Sequence, residues 1–180
     1  MACSVYTLKG MPQECKGSVA GLKELYLGLL DDVSGVTTTT AHTCTITMKT
    51  GKKLYSYFVT DESSSLTSTL NRNSANGVLY YLNAISASFV KMTAAKHIEL
   101  MAMANEKMVA VAVDNNNKAW FLGADSFVTA GEETAQTGQS FDDLSGYQVT
   151  LNHRSAALPY EISDWDTFKD SNTDVPEPEN

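Results

Sequence analysis

Three histidines are the residues of this chain best suited to acid–base chemistry. His42 stands in a threonine-rich stretch, His97 falls early in a predicted helix, and His153 precedes an arginine. A catalytic site would need two of these rings, or one ring and a carboxylate, to meet in the folded chain. Nothing in their spacing brings them together, so we interpret each ring as an ordinary surface or partly buried side chain.

Pairs of adjacent carboxylates are a second possible source of acid–base chemistry, and they occur at Asp31-Asp32, Glu132-Glu133 and Asp142-Asp143. Neighbouring residues of a strand point to opposite faces, so we interpret each pair as a solvated turn. The chain also lacks a G-x-S-x-G motif, a glycine-rich phosphate loop, an H-E-x-x-H motif and a calcium loop. We therefore expect no catalytic activity and no cofactor.

The cysteines could in principle bind a metal or form disulfides. Cys3, Cys15 and Cys44 are widely spaced and include no C-x-x-C pair, although His42 lies near Cys44. This spacing fits neither a secreted disulfide framework nor a closed zinc site. We expect free, partly buried thiols and no metal.

The net charge of -8 is concentrated at the carboxyl end of the chain. Residues 164–180 contain six carboxylates, opposed only by Lys169, so they hold about five of the excess negative charges. The chain lacks the basic stripe that neutralises phosphates, which argues against tight binding of nucleic acid. There is also no signal-peptide pattern and no run of ~18 to 20 apolar residues, so we expect a protein made in the cytoplasm with no membrane partner.

The elements that would position these residues are mostly strands. Within residues 17–35 the flanking glycines and Gly28 favour a strand, with a helix that places Leu22, Leu25 and Leu29 on one face as the alternative. Residues 37–60 predict a hairpin split at the Gly51 turn, because β-branched and aromatic residues dominate both halves. A long strand is predicted over Val78–Met92. A helix is predicted over Thr93–Lys107, with Thr93 as its N-cap and Ile98, Met101 and an alanine on its apolar side.

A second hairpin is predicted over Val109–Phe127, because small apolar residues lead into three asparagines that favour a turn. Trp120 and Phe121 must then face opposite sides of their strand, which places one ring in the core and the other outside. Residues 61–77 and the segment from Gly131 predict polar loops. Strands at 147–152 and 160–162 complete the prediction: mainly β, six to eight strands, an antiparallel β-sandwich or barrel with one flanking α-helix.

Three stretches in this order resemble the tail tube proteins of tailed bacteriophages, especially those of Bacteroidetes phages. They are GSVAGLKELYL followed by Asp31-Asp32-Val33, then VAVAVDNNNKAWFLG, then TAQTGQSFDDLSGYQVTLNHRSAALPYEI. The resemblance spans most of residues 15 to 163, and the ordered combination distinguishes it better than any single motif. It implies a tail-tube-like β domain over residues 1–163, followed by an acidic segment over residues 164–180.

This resemblance implies a structural virion protein that assembles itself into hexameric rings stacked as a hollow tail tube. The partners would be further copies of the chain and other tail proteins, and the location would be the phage tail. DNA would pass through an acidic lumen without specific binding, because like charges repel the phosphates. No small-molecule substrate is implied.

The resemblance also implies an assembly interface. The hairpins would join neighbouring sheets edge to edge, and the loop 61–77 would reach an adjacent subunit or ring. The acidic segment would be an inter-ring arm anchored by its aromatic residues, or else a disordered end. The residues assigned to the interface are Ser64, Leu66, Leu70, Arg72, Asn116, Trp120, Trp165 and Phe168.

Three other functions remain open from the sequence. A head–tail connector, tail terminator or capsid-associated virion protein would share the β-rich fold and form a single ring or decorate a lattice. A carbohydrate-binding β-sandwich would present clustered exposed aromatic residues and a secretion signal, neither of which is evident. An enzyme would require His97, His153 and a carboxylate to converge.

Overall fold

A computed structural model describes residues 10–11, 17–60, 62–140 and 142–176. These residues form twelve strands and two α-helices, with a short 3-10 turn at Leu30–Asp32. The elements are β1 (Leu22–Leu29), β2 (Val33–Thr38), β3 (Thr43–Met48), β4 (Leu54–Tyr57), β5 (Ser65–Asn73), β6 (Val78–Val90), α1 (Ala94–Asn105), β7 (Met108–Asp114), β8 (Ala119–Leu122), β9 (Val128–Gln136), β10 (Gly146–Ser155), β11 (Tyr160–Ile162), α2 (Trp165–Asn172) and β12 (Thr173–Asp174).

All twelve strands belong to one mixed sheet, which confirms the prediction of a mainly β chain. The main path runs β2-β3-β11-β8-β7-β9-β10-β6-β5, while β1 joins β7 to β4 and β12 extends from β4. The pairs β11–β3 and β12–β4 are parallel, and the other pairs are antiparallel. The sheet is therefore not purely antiparallel, and it carries two helices where one was predicted.

Strand β7 lies between two apolar clusters, which explains its almost unbroken run of small and apolar residues. Both of its faces are buried, and each fully buried valine contributes about 1.5–3 kcal/mol to folding. One face enters a first cluster that also takes side chains from β1, β6, β10 and α1, including Leu25, Leu27, Ile85, Met103, Ala110, Ala112, Val149 and Leu151. The opposite face enters a second cluster with side chains from β3, β8 and α2, including Tyr26, Cys44, Val109, Val111, Phe121, Trp165 and Phe168.

The predicted hairpin over residues 37–60 is wrong, although both of its strands exist. Strand β3 pairs with β2 and β11, whereas β4 crosses to pair with β1 and β12. Contact between Leu54 and Gly28 accompanies this crossing: a Cβ atom on Gly28 would lie 2.5 Å from Leu54 Cδ2. The missing side chain in β1 thus leaves room for a buried leucine of β4, a long-range fit that local turn chemistry does not encode.

Two segments predicted as polar loops are strands. Residues 65–73 form β5 against β6, and residues 128–136 form β9 against β10. Serine and threonine are well suited to the solvent-facing side of a strand, so their polarity did not justify the prediction of a loop. Glu132 and Glu133 consequently lie within β9 and not in a turn.

Helix α1 begins as predicted, with Thr93 Oγ1 accepting a hydrogen bond from the Lys96 backbone N–H. Its predicted apolar side is wrong. Met103 is the buried residue of the helix, whereas Ile98 and Met101 are 66% and 59% exposed. The core-facing side of α1 is therefore the side opposite to the one that periodicity indicated.

Candidate assembly interface

The hairpin formed by β5 and β6 includes β6, the longest strand of the described sheet. Its register runs from Ser65 opposite Ser86 to Asn73 opposite Val78. The Asn73 side chain accepts a hydrogen bond from the Ala75 backbone N–H at 3.1 Å and so orders the turn at residues 74–77. The end near Ser65 reaches the core, and β10 lies beside β6 as far as Tyr81, so the hairpin projects beyond β10 from Asn71 and Tyr80 to the turn.

Strand β5 is an edge of the sheet, since β6 is its only neighbour among the described residues. At the far end of the same path, β2 pairs only with β3. An edge strand presents backbone N–H and C=O groups that another strand can pair with. The described sheet therefore offers edges suited to joining a second chain.

The face of the hairpin that points toward the core carries further apolar side chains beyond the core, next to Ser68 and Arg72 on the same face. Leu66 packs against the first cluster opposite the buried Ile85. Farther along the same face, Leu70 lies opposite Tyr81, and Leu79 lies two positions before Tyr81 in β6. Leu70 and Leu79 are 50% and 57% exposed. This set of Leu70, Leu79 and Tyr81 is called the hairpin patch below.

A buried polar contact lies where the hairpin joins the core. Asn83 Nδ2 lies 3.2 Å from His153 Nδ1, and both residues are buried. On its other side, His153 Nε2 lies 3.5 Å from Asp125 Oδ1, too long for a strong hydrogen bond. Burial lowers the pKa of His153 and outweighs the nearby Asp125 carboxylate, so the ring is neutral at pH 7.

The four predicted interface residues between 64 and 72 differ in accessibility. Leu70 and Arg72 are exposed and Leu66 is half-buried. Ser64 is buried, and its carbonyl accepts a hydrogen bond from the Leu22 backbone N–H at 3.2 Å. Ser64 therefore holds the base of the hairpin onto β1, and its assignment to the interface stays a prediction for a residue that is buried in its own chain.

Asn116 binds its own chain. Its amide Oδ1 accepts from the Val19 backbone N–H at 2.9 Å, and its Nδ2 donates to the Val19 carbonyl at 3.0 Å. Asn115 Nδ2 donates to the Ala20 carbonyl at 2.6 Å. The predicted β7–β8 hairpin is confirmed. The asparagines of its turn hold residues 19–20 in place with side-chain hydrogen bonds like those that a neighbouring strand would make.

The aromatic pair in β8 divides as predicted. Phe121 is buried in the second cluster, and Trp120 is half-buried on the other face, where its indole N–H donates to Asp114 Oδ2 at 3.1 Å. This internal hydrogen bond satisfies the polar edge of Trp120. Its role at an interface stays a prediction.

Trp165 and Phe168 are buried against their own domain, and their assignment as anchors of an inter-ring arm stays a prediction. They lie on one face of α2 with ring centroids 5.8 Å apart, and Trp165 meets Tyr26 edge-on at 5.0 Å. Lys169 Nζ adds an ion pair with Glu24 Oε2 at 2.8 Å. The segment 164–176 is thus folded onto the domain, while residues 177–180 lie outside the described residues.

The histidines are placed apart. His42 stacks on Tyr160 at 4.3 Å, and His97 meets Tyr147 edge-on at 5.5 Å. Tyr147 and His153 are six positions apart in β10, which corresponds to about 20 Å along an extended strand, so His97 and His153 do not share a site.

Cys44 is fully buried in the second cluster, and burial raises the pKa of its thiol to about 11. Cys3 and Cys15 lie outside the described residues. Across the described parts of the chain, no three His, Cys, Asp or Glu side chains are grouped closely enough to hold a metal ion.

An open, polar cleft of about 540 Å³ lies between the β7–β8 turn and α2. Lys23 Nζ donates to Asn117 Oδ1 at 3.3 Å, Lys118 pairs with Glu161, and Lys169 pairs with Glu24. Two of its lysines thus pair with carboxylates, and its lining carries charges of both signs, so it presents no single sign of charge to a ligand.

The residues that the sequence analysis missed are Leu79 and Tyr81 in the hairpin patch. They were assigned to a strand without a role, because their partner β5 was predicted as a loop. The alternation of Leu66, Ser68 and Leu70 at a period of two is the signal that indicates a strand in this segment.

The chain was compared with protein-family models, with curated proteins and with solved structures, and none of the three comparisons found a match. Neither described helix is both long enough and apolar enough to span a membrane.

Proposed function

We propose that this protein is a structural subunit that assembles with copies of itself, and that the assembly is the hollow tail tube of a bacteriophage. The observation that supports this proposal best is the projecting β5–β6 hairpin, which combines an edge strand with exposed apolar side chains. Such a surface is costly for an isolated chain and favourable where another chain covers it.

The two sheet edges give the proposal a simple geometry. When different surfaces of one chain meet, the contact is heterologous, and repetition closes a ring or extends a filament. In this proposal, the strands that pack on the first apolar cluster from its two sides form the two layers of a tail-tube-like sandwich. Stacked hexameric rings of such units would enclose the DNA channel.

The experiment that tests this function is negative-stain electron microscopy across a concentration series, with light scattering for mass. We expect uniform rings or hollow tubes. Single rings that never stack would favour a head–tail connector or tail terminator. A chain that remains monomeric at the highest concentrations, both alone and with preformed tail-initiation complexes, would contradict the proposal.

A hairpin variant connects this assembly to the structure. Residues 70–81 are replaced by Asn-Gly between Thr69 and Leu82, which already face each other, so a two-residue turn closes the shortened hairpin. Leu66 and Asn83 are kept. We expect an unchanged thermal midpoint and loss of rings and tubes. The matched control, Asn71→Ser, keeps the hairpin length and its apolar face and is expected to assemble normally.

A further inference from the structure

The outward side of α1 is a second exposed surface that the folding of one chain does not explain. Met103 is buried and Leu100 packs partly against the first cluster. The opposite side is exposed and uncharged, with a spacing that follows one face of a helix. We call this set the α1 stripe, and it consists of Ala94, Ile98, Met101, Ala102 and Asn105.

Both formally charged side chains of α1 are turned away from this stripe. Lys96 Nζ donates to the carbonyls of Val90 and Lys91 at 2.7 and 3.1 Å. Glu99 accepts a long hydrogen bond from the Tyr57 hydroxyl at 3.5 Å. An ordinary surface helix places its charges outward, whereas α1 has its largest exposed apolar side chains there.

The hairpin patch and the α1 stripe cannot cover each other within one molecule. Strand β6 connects them, with Val78 at the hairpin turn and Val90 leading into α1. Its thirteen residues span about 40 Å when extended. Two apolar surfaces at opposite ends of one subunit can meet only between different subunits.

Charge favours a second copy of this chain as the partner. The net charge of -8 makes two copies repel each other over most of their surfaces. Residues 63–90, however, carry a single charged residue, Arg72. The α1 stripe is uncharged, and its one neighbouring carboxylate without a described hydrogen bond is that of Glu106, which directly follows the last residue of α1. The hairpin is therefore a part of this acidic chain that can approach α1 without like-charge repulsion, and Arg72 gives it an attraction to carboxylates that the uncharged residues 33–48 do not have.

We propose that the hairpin patch of one subunit docks on the α1 stripe of the next, with Arg72 facing Glu106 at the end of the stripe. This inference rests on the proposed function and specifies which surfaces the subunits use. The contact is heterologous, so each subunit contributes its hairpin to one neighbour and its helix to the other.

Charge placement across the contact tests this pairing. Ile98→Lys places a cation where the hairpin brings Arg72, and Leu79→Glu places a carboxylate in the hairpin patch. Both positions are exposed, so each monomer should keep its thermal midpoint. We expect each variant alone to raise the critical concentration for assembly by about tenfold or more. An equimolar mixture should regain much of the lost assembly, because the introduced ammonium group then meets the introduced carboxylate in alternate contacts.

A cysteine pair measures the contact directly. Leu79→Cys and Met101→Cys are prepared separately in a background with Cys3→Ser and Cys15→Ser, then mixed and oxidised. We expect a disulfide-linked heterodimer. The control mixture replaces Met101→Cys with Thr134→Cys, at an exposed position of β9 outside the α1 stripe, and should give little cross-linked product.

The outcomes separate this inference from the proposed function. Rings or tubes that form without the Leu79–Met101 cross-link, and that tolerate Ile98→Lys, would overturn the docking inference and leave the function standing. A wild-type chain that remains monomeric and gives no cross-link would overturn both.

Discussion

His153 shows how one buried residue connects the projecting hairpin to the body of the domain. Its ring lies between Asn83 of β6 and Asp125 of the β8–β9 connection. With Asn83 donating to Nδ1, the neutral tautomer carries its proton on Nε2, toward Asp125. Protonation of Nδ1 would remove the acceptor that Asn83 uses, so the amide would have to turn its Oδ1 toward the ring.

The lowered pKa of His153 predicts how stability depends on pH. Below the ordinary value of 6.5, the unfolded chain takes up a proton before the folded chain does. The free energy of unfolding should therefore fall as the pH decreases from 6.5 toward the lower folded-state pKa. His153→Gln should flatten this part of the curve in urea unfolding measured at several pH values.

The matched control is His42→Gln, since His42 lies at the exposed surface on Tyr160. It should retain the slope of the wild-type protein. A wild-type stability that increases on acidification over this range, or a His153→Gln variant with an unchanged slope, would contradict the assignment.

At the scale of elements, the position of β10 depends on close backbone contact. Gly146 begins β10 and pairs with Val90 of β6 and with Gln136 of β9. A Cβ atom at Gly146 would lie only 2.0 Å from the Phe89 carbonyl oxygen, and a backbone atom cannot move aside as a flexible side chain can. Glycine is therefore required where the hairpin strand leads into α1.

Gly146→Ala should destabilise the fold by about 1–3 kcal/mol, as expected for a side chain forced into a packed site. Urea unfolding followed by circular dichroism measures this change. Gly35→Ala is the matched control, because a Cβ atom at Gly35 in the edge strand β2 meets no atom within 4 Å. Equal unfolding midpoints for the two variants would show that the contact at Phe89 is relaxed in solution.

At the scale of the whole molecule, charge opposes assembly and apolar surfaces favour it. The described acidic segment beyond Asp164 is folded against the domain through α2 and β12, so its carboxylates add to the charge of a compact body. Repulsion between such bodies is screened over about 8–10 Å at physiological ionic strength. Contacts between uncharged surfaces are much less sensitive to salt.

Assembly should therefore strengthen with salt. Light scattering in a concentration series should give a lower critical concentration in about 0.15 M NaCl than in about 0.01 M, because the Debye length shortens from about 30 to 8 Å. Glucose at matched osmolality, which adds no ions, is the control. Weaker assembly at the higher salt would show that attraction between opposite charges dominates, contrary to the proposed apolar contacts.

The sequence by itself determined the elements whose signals are local. The unbroken run of small apolar residues in β7, the asparagine turn after it and the Thr93 cap of α1 are all set by residues close together in the chain, and the structure has them as predicted. The opposite placement of Trp120 and Phe121 follows from strand geometry alone.

Only the tertiary structure decided which elements meet. The polar segments β5 and β9 are strands because β6 and β10 supply their hydrogen-bond partners. Strand β4 pairs with β1 and not with β3, because Leu54 fits beside Gly28 of β1. The exposed side of α1 and the burial of Trp165 and Phe168 likewise depend on neighbours far away in sequence. Burial is a property of the packed chain. The exposed residues of the candidate interface were therefore identified from the structure more than from the pattern of apolar residues in the sequence.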